Sequence, residues 1–245
     1  DREVIELTKR AIQFSEITDG AFDISFAAMD KIWKFDGSME QLPSQSEIQK
    51  AIAKIGYQNI LIDEENSTIF LKLPGIKIGF GSIGKGYGAQ KAKEFIQELG
   101  INAGIIDASG DMAIWGKQPD NSPWKIGVVN PFKRYKTADI LAIKNGAVTT
   151  SGDYEKFILI DGKRYSHIIN PKTGMPSTGL TSVTVIGPNA ETANGFSTSM
   201  MVLGQKKGLE IMNKYPDYAC LLITDSGKII RSKNYKKVCE TIQFN

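Results

Sequence analysis

Residues 140–150 read ILAIKNGAVTT, with Asn145-Gly146 between two short apolar runs. Asn-Gly in this setting is a strong hairpin signal, because both central residues of a type I′ turn need a positive φ angle. The pattern predicts strands at residues 140–143 and 147–150, joined by this turn. The local sequence therefore favours antiparallel β-structure in the middle of the chain.

Further hairpins and helices are predicted on both sides of this stretch. Asp161-Gly162 is a second turn between apolar runs, and Asp225-Ser226-Gly227 is a third, within the segment Tyr218 to Ile230. A capping box at Ser44 and Glu47 marks the start of a helix. The other predicted strands are residues 59–62, 68–73, 103–106, 124–129, 157–160, 163–169 and 180–186, and the predicted helices are the opening segment to residue 17 and residues 45–55, 89–99, 191–203 and 207–215.

The order of these elements predicts the fold class. Hairpins interrupted by helices are typical of an α+β fold with packed helices on a largely antiparallel sheet, whereas a regular βαβ alternation would indicate a parallel sheet. The chain has 245 residues, which is enough for a sizeable core, and it shows no internal repeat or long linker. We therefore expect a single compact unit over residues 1–245.

The composition is that of an ordinary globular protein. Hydrophobic residues make up 41% of the chain, charged residues 23%, and the formal net charge is +3. This charge is too small and too scattered for a nucleic-acid binder, so the local group Lys133, Arg134 and Lys136 is expected to be solvated surface. No apolar run reaches the roughly 18 residues that span a bilayer, and no signal peptide is recognised. Cys220 and Cys239 match no metal-site spacing and leave a disulfide open.

The segment Gly79 to Gly86, with the sequence GFGSIGKG, fits two nucleotide-binding patterns incompletely. It contains G-x-G-x-x-G, but a hairpin precedes it, where the dinucleotide fingerprint needs a βαβ unit. It also approaches the Walker A loop, but Gly86 occupies the position of the Ser or Thr that holds magnesium. Two interpretations remain open. Lys85 and helix N–H groups could bind a phosphate or pyrophosphate, or the glycines could form a tight strand-to-helix turn.

His167 and the pair Asn194 and Thr198 are candidates for chemistry. His167 is the single histidine of the chain and lies where a strand enters the turn Asn170-Pro171, so it could act as a general base or be a structural residue. Asn194 and Thr198 are four residues apart on a predicted helix and share one face. Their oxygen atoms could help to hold magnesium, or they could form an ordinary polar patch.

Several segments together resemble the FAD:protein FMN transferases, a family once named for a thiamine-biosynthesis lipoprotein. Each segment alone is a weak signal, but they occur in the family's order along nearly the whole chain. The matching segments are Thr18 to Asp23, Ile83 to Tyr87, Ala108 to Asp111, Thr150 to Tyr154, Tyr165 to Gly174, Ser182 to Val185 and Thr192 to Asn194.

The resemblance implies an α+β fold of the T-fold type, FAD as the substrate and magnesium at its pyrophosphate. FMN would pass to a Thr or Ser hydroxyl on a flavin-bearing subunit of a membrane redox complex, such as the sodium-pumping NADH:quinone oxidoreductase, and AMP would leave. His167 matches the family's proposed base, Asn194 and Thr198 match its metal-ligand pair, and the Gly84 carbonyl is a candidate third ligand. The residues that match its flavin-contacting or phosphate-contacting segments are Asp23, Lys85, Gly86, Tyr87, Asp111, Ser151, Gly152, Asp153 and Ile168.

The resemblance also implies a location on the periplasmic side of the cytoplasmic membrane, with a lipid anchor outside this chain and part of the family domain preceding Asp1. Two positions depart from the family's pattern. Asn194 replaces an aspartate, and Gly79 stands where an aspartate is common. Because an amide is a poorer ligand for a hard cation than a carboxylate, the alternative is an FAD-binding protein or FAD pyrophosphatase with a weakened metal site. A P-loop or NAD-linked enzyme is the third hypothesis.

Overall fold

The computed structural model describes residues 1–133, 135–153 and 156–244. Arg134 and Tyr154, which belong to segments named above, lie outside the described residues. The chain divides into two compact units, one formed by residues 1–82 and 155–178 and the other by residues 83–154 and 179–245. The expectation of a single domain over residues 1–245 stays a prediction.

The helices and strands are numbered in chain order. The α-helices are α1 (Arg2–Ile17), α2 (Gln45–Ile52), α3 (Gly84–Glu98), α4 (Ala190–Met212) and α5 (Tyr235–Phe244). The strands are β1 (Ile60–Asp63), β2 (Thr68–Leu71), β3 (Gly104–Ala108), β4 (Asp111–Trp115), β5 (Trp124–Val129), β6 (Thr137–Ile143), β7 (Gly146–Gly152), β8 (Phe157–Ile160), β9 (Lys163–Ser166), β10 (Leu180–Gly187), β11 (Ala219–Thr224) and β12 (Ile229–Arg231). Within the described residues, no helix is long and apolar enough to cross a membrane.

The first unit contains α1, α2 and two antiparallel hairpins, β1–β2 and β8–β9. The capping box begins α2 as predicted, because the Glu47 N–H donates to the Ser44 hydroxyl and the Ser44 N–H donates to the Glu47 carboxylate. The helix ends at Ile52, earlier than the sequence predicted. The second hairpin is confirmed, since Asp161 and Gly162 have φ angles of 50° and 71°, as a type I′ turn requires.

The second unit is built on a six-stranded sheet in the order β12-β11-β10-β7-β4-β3, in which every neighbouring pair is antiparallel. Strands β5 and β6 form a separate two-stranded ribbon. The predicted α+β class with a largely antiparallel sheet is therefore confirmed.

The two faces of this sheet carry side chains of different size. On one face, Ala113 of β4 and Ala147 of β7 form a cluster with Ala89 of α3 and Ala190 of α4. Alanine at these four positions lets both helices approach the strands closely. On the other face, larger residues of the sheet pack against residues of the β5–β6 ribbon and α5, and this cluster includes Ile114, Val148, Ile186 and Leu221 of the sheet with Ile143 and Ile242. Successive strand residues point to opposite faces, which is why the neighbours Ala113 and Ile114 of β4 belong to different clusters.

The hairpin predicted at Asn145-Gly146 is wrong. Strand β6 pairs with β5, while β7 lies between β4 and β10 in the six-stranded sheet. The chain bends at Lys144 and Asn145, whose N–H groups donate to the Ile242 carbonyl of α5 at 2.8 and 3.4 Å. Gly146 has a φ angle of 155°, and a Cβ atom there would lie 2.9 Å from the Gly187 carbonyl oxygen. The chain therefore changes sheets at this dipeptide.

Two elements were missing from the sequence prediction, strand β4 and the C-terminal helix α5. Strand β4 follows β3 after only Ser109 and Gly110, whose φ angles of 55° and 91° form a two-residue turn. The predicted helices at residues 191–203 and 207–215 appear as the single element α4, which kinks at Gly204, where φ is 74°.

Candidate functional site

In the second unit, α3 begins at Gly84, inside the glycine-rich segment and earlier than the sequence predicted, and it packs against α4. Gly86 is buried at this contact. A Cβ atom on it would come within 2.3 Å of the Ala190 carbonyl oxygen and 2.6 Å of the Asn194 Cβ. Its N–H donates to Asn194 Oδ1 at 3.2 Å. At Gly86 the structure therefore supports close helix packing, and the predicted flavin contact of this residue stays a prediction.

Asn194 and Thr198 share one face of α4, as their spacing predicts. Asn194 is 5% exposed, and its side-chain oxygen is held by Gly86. The Thr198 hydroxyl lies 3.2 Å from the hydroxyl of Ser151, near the end of β7, and the Ser151 hydroxyl is also 2.9 Å from that of Ser197. The structure thus brings Ser151 to the predicted metal ligand Thr198 through a cluster of hydroxyl groups.

Lys85 of α3 and Asp111 of β4 form an ion pair, and β4 lies next to β7, the strand that carries Ser151. The Lys85 ammonium lies 4.0 Å from the Asp111 carboxylate and donates to the Ser109 carbonyl at 3.2 Å. Half of the lysine side chain is exposed, whereas that of Asp111 is 3% exposed. Burial raises the pKa of Asp111 to about 6, although Lys85 and a hydrogen bond from the Thr150 N–H both oppose the shift. Lys85 therefore presents its charge to solvent from a fixed position.

The predicted metal ligands fit magnesium in kind but not in charge. The Gly84 carbonyl, the Asn194 amide and the Thr198 hydroxyl are all oxygen donors, the type that this hard cation prefers. None of them is ionised, and within the described residues no group of three or more His, Cys, Asp or Glu side chains could hold a metal. A cation held here would need waters and substrate phosphates to complete and neutralise its shell.

The other candidates of the second unit lie on α3 and at the end of β7. Tyr87 is partly buried in the first turn of α3. Gly152 pairs with Ser182 of β10. Asp153 is 6% exposed, and its N–H donates to the Thr181 carbonyl at 3.0 Å. Strand pairing therefore fixes the backbone of this segment up to the last described residue before position 154.

In the first unit, His167 follows β9 directly and is partly exposed. Its backbone N–H and its ring Nδ1 both lie near the Lys156 carbonyl oxygen, at 3.2 and 2.9 Å. A carbonyl only accepts hydrogen bonds, so Nδ1 carries the proton and Nε2 is the basic nitrogen of the neutral ring. The Phe35 ring and the imidazole form a T-shaped pair with a centroid distance of 6.3 Å. This arrangement suits a general base.

Ile168 and Asp23 are placed by backbone hydrogen bonds in the same unit. The Ile168 N–H donates to the Ser166 hydroxyl, and its carbonyl accepts from Ser177. Asp23 is 7% exposed and accepts from Ser25 through one oxygen and from the Tyr57 N–H through the other. Burial raises the pKa of Asp23 despite these bonds. The residue caps a short 3-10 helix, Ile24–Ala28, and borders a cavity of about 190 Å³.

Comparison with known proteins identifies the family. The model of the ApbE family matches residues 1–222. This chain belongs to the ApbE family. Its sequence is 31% identical over 240 residues to the FAD:protein FMN transferase of Haemophilus influenzae. This alignment covers 94% of this chain and 69% of that protein. It is 30% identical over 228 residues to the FAD:protein FMN transferase of Escherichia coli, with 91% and 65% covered.

Solved ApbE structures share the fold. The ApbE protein of Thermotoga maritima superposes with a TM-score of 0.87 at 37% identity, over 97% of this chain and 78% of its own. The flavinyl transferase ApbE of Pseudomonas stutzeri superposes with a TM-score of 0.84 at 30% identity, over 99% of this chain and 76% of its own. The resemblance found in the sequence is therefore confirmed.

In this ApbE family member, sequence reasoning missed two groups that position the candidates. The Lys156 carbonyl orients His167, and the signal for it was present, because a two-residue turn at Asp161-Gly162 sets a register in which position 156 faces position 167. The Ser109 carbonyl, which receives Lys85, belongs to the unpredicted β3–β4 turn. The structure also gives a steric reason for glycine at position 79, where the family often has aspartate. A Cβ atom on Gly79 would lie 2.9 Å from the Cβ atom of Ala27.

Proposed function

We infer that this chain is an FAD:protein FMN transferase, an enzyme that moves the FMN half of FAD onto another protein. The family match over residues 1–222 carries this inference, because relatives with that activity in their names cover more than 90% of the chain. The geometry of His167 agrees with it, since a transfer to a hydroxyl group needs a base.

We propose that the acceptor is a Thr or Ser hydroxyl on a flavin-bearing subunit of a membrane redox complex. His167 Nε2 takes the hydroxyl proton, the acceptor oxygen forms a bond to the phosphorus on the FMN side, and the bond from that phosphorus to the AMP oxygen breaks. The hydrogen bond between Nδ1 and the Lys156 carbonyl supports this role, because it fixes the tautomer and the ring orientation. With water in place of the acceptor, the same chemistry would be FAD hydrolysis.

We propose further that Lys85 binds the pyrophosphate of FAD and that Gly84, Asn194 and Thr198 hold a magnesium ion. When bound, magnesium would withdraw negative charge from the phosphates, and Lys85 adds a second positive charge. The support is the exposed ammonium of Lys85 and the oxygen donors on α3 and α4. Asp111 holds Lys85 at its position, so its role is to orient that side chain.

For the location, we propose the periplasmic side of the cytoplasmic membrane, with a lipid anchor outside this chain. The support is the resemblance to a family whose members work there. Protease treatment of spheroplasts that express the full-length gene tests the proposal. Digestion from the outside is expected, and protection until the cells are lysed would contradict it.

A second function, FAD binding without transfer, is favoured by one observation. The donor set of the proposed metal site is neutral, because Asn194 occupies the position of the family's carboxylate. Such a protein would bind FAD in a stable yellow complex and release no AMP. Restoration of AMP release by Asn194→Asp would identify the metal site as the reason.

The transferase proposal is tested by incubating the chain with FAD, magnesium and a flavin-accepting subunit. Covalent flavin fluorescence on the denatured acceptor is expected, and it should be absent from an acceptor whose target threonine is replaced by valine. Unlabelled acceptor at every magnesium concentration, in the presence of bound FAD, would support the binding protein and contradict the transferase.

A further inference from the structure

The loop that joins β5 to β6 exposes apolar and basic side chains together. In the ribbon below the loop, Val129 and Ile140 are 54% and 62% exposed, and within it Phe132 is 49% and Tyr135 102% exposed. Lys133 lies between Phe132 and Tyr135 in the sequence, Lys136 follows Tyr135, and both lysines are exposed. We call this surface the ribbon tip and define it by Val129, Phe132, Lys133, Tyr135, Lys136 and Ile140.

The loop segment that forms the ribbon tip carries only positive charges. Residues 121–138 contain Lys125, Lys133, Arg134 and Lys136 and no Asp or Glu, although Arg134 itself lies outside the described residues. The carboxylates that border this segment in the sequence both accept hydrogen bonds. Asp120 accepts from the Ser122 N–H and hydroxyl. Asp139 accepts from Arg231 and from the Tyr235 hydroxyl.

The ribbon tip is held in place by its own turns and by the core below it. The Phe132 N–H donates to the Asn130 side chain at 3.0 Å, and the Lys136 N–H donates to the Lys133 carbonyl at 2.8 Å. The Phe132 ring lies close to Gly227 in the β11–β12 turn, since a Cβ atom built there would be 3.6 Å from its Cδ2 atom. The inward residues of β5, Ile126 and Val128, are buried in the core of the second unit. The outward side chains are therefore presented by an anchored hairpin.

We propose that the ribbon tip docks on the head-group layer of a membrane that contains anionic lipid. Aromatic rings and the long apolar stems of lysines both favour the interface between acyl chains and water. Lysines near an anionic surface each add attraction, so rings and charges act together. A protein partner fits less well, because lysine is depleted from protein–protein interfaces and enriched in this surface.

A second apolar surface in the same unit provides the matched control. Phe95 and Leu99, at the end of α3, are 61% and 66% exposed. Their neighbours include Glu94 and Glu98, whose carboxylates an anionic surface repels. If exposed apolar area alone drove binding to lipid, both surfaces would contribute.

The experiment is flotation of the purified 245-residue chain with vesicles of phosphatidylcholine alone or mixed with phosphatidylglycerol. We expect binding to the anionic vesicles only, with a loss on raising the salt concentration. Phe132→Ser with Tyr135→Ser, and separately Lys133→Gln with Lys136→Gln, should each lower the partition coefficient about tenfold or more. Phe95→Ser with Leu99→Ser should leave it unchanged. All substituted side chains are exposed, and equal thermal midpoints would verify that the variants fold.

Three results would overturn the proposal. The parent chain could fail to bind anionic vesicles, or the ribbon-tip variants could bind them as tightly as the parent. Alternatively, the ribbon-tip variants could keep vesicle binding while losing the ability to label a soluble acceptor without lipid, and the surface would then bind protein. The proposal does not depend on the transferase activity, because vesicle binding needs neither FAD nor an acceptor.

Discussion

At the scale of single residues, the Lys156 carbonyl gives His167 its chemical character. His167→Ala should lower the turnover of FMN transfer by about 100-fold to 10,000-fold, the range for loss of a general base, while FAD binding changes little. Lys156→Ala is the matched control, because Lys156 receives the hydrogen bond from the imidazole at its backbone carbonyl, and it should retain activity. Initial rates and a separate FAD titration make the comparison. A similar loss of FAD affinity and turnover in His167→Ala would indicate a binding role instead.

The raised pKa of Asp111 predicts how the free energy of unfolding depends on pH. Its pKa in the folded chain is about 6, above the ordinary 3.8, so the folded state binds this proton more tightly than the unfolded state. Its contribution to stability is fully present below pH 3.8 and is lost as the pH rises through 6. Asp111→Asn keeps an acceptor for the Thr150 N–H and removes the charge. At pH 8 it should raise the free energy of unfolding by roughly 1–3 kcal/mol, and the gain should shrink toward pH 4.

Urea unfolding of the parent chain and of Asp111→Asn at pH 4, 6 and 8 measures this difference in the free energy of unfolding. A less stable Asn variant at pH 8 would show that the ion pair with Lys85 outweighs burial. Activity gives a second readout, because Lys85 should lose its orientation when the carboxylate is replaced. A more stable but less active variant would be typical of a site whose charge is kept for function.

At the scale of elements, Gly86 determines how closely α3 approaches α4. Gly86→Ala should lower the free energy of unfolding by about 1–3 kcal/mol, because the new methyl group would overlap the Ala190 carbonyl and the Asn194 side chain. Gly88, one half-turn later in α3, has no atom within 4 Å of a built Cβ. Gly88→Ala should therefore stabilise the helix by about 0.5–1 kcal/mol. Denaturant unfolding measures both changes in the free energy of unfolding, provided that the transitions of parent and variants have equal slopes. Equal effects of the two substitutions would contradict this account.

Elements whose signals are local could be predicted, and elements that depend on distant partners could not. The capping box at Ser44 and the Asp161-Gly162 turn were found because they need only neighbouring residues. Asn145-Gly146 looked the same, but β7 fills the gap between β4 and β10 and therefore leaves β6 to β5. No local pattern contains that competition. Helix α5 is a different case, since Tyr235, Val238 and Ile242 have helical spacing and face the core, so its signal was present in the sequence.

The candidate site shows the same division. The spacing of Asn194 and Thr198 predicted their common face, whereas the start of α3 was placed at residue 89 and lies at Gly84. The Gly86 to Asn194 hydrogen bond joins residues 108 positions apart, and the Ser151 to Thr198 contact joins residues 47 apart. Pairings over such distances follow from the sheet order, which the sequence alone did not give.

At the scale of the whole molecule, metal binding should appear as a change in global stability. Asn194→Asp places a carboxylate at a 5% exposed position, so without magnesium the thermal midpoint should fall by a few degrees. With magnesium and FAD the midpoint should rise above that of the parent, because a ligand that binds only the folded state stabilises it. Thr198→Val in the same background should cancel the rise. A magnesium response that is equal in parent and Asn194→Asp would place the ion elsewhere.

The most direct test of the transferase is the intact mass of an acceptor subunit after incubation with this chain, FAD and magnesium, with AMP measured in the same sample. We predict that the acceptor gains the mass of one FMN less one water, that one AMP appears for each acceptor labelled, and that His167→Ala nearly abolishes both. AMP release with an unchanged acceptor mass would identify a hydrolase. Bound FAD with neither product would contradict the transferase and leave a flavin-binding protein.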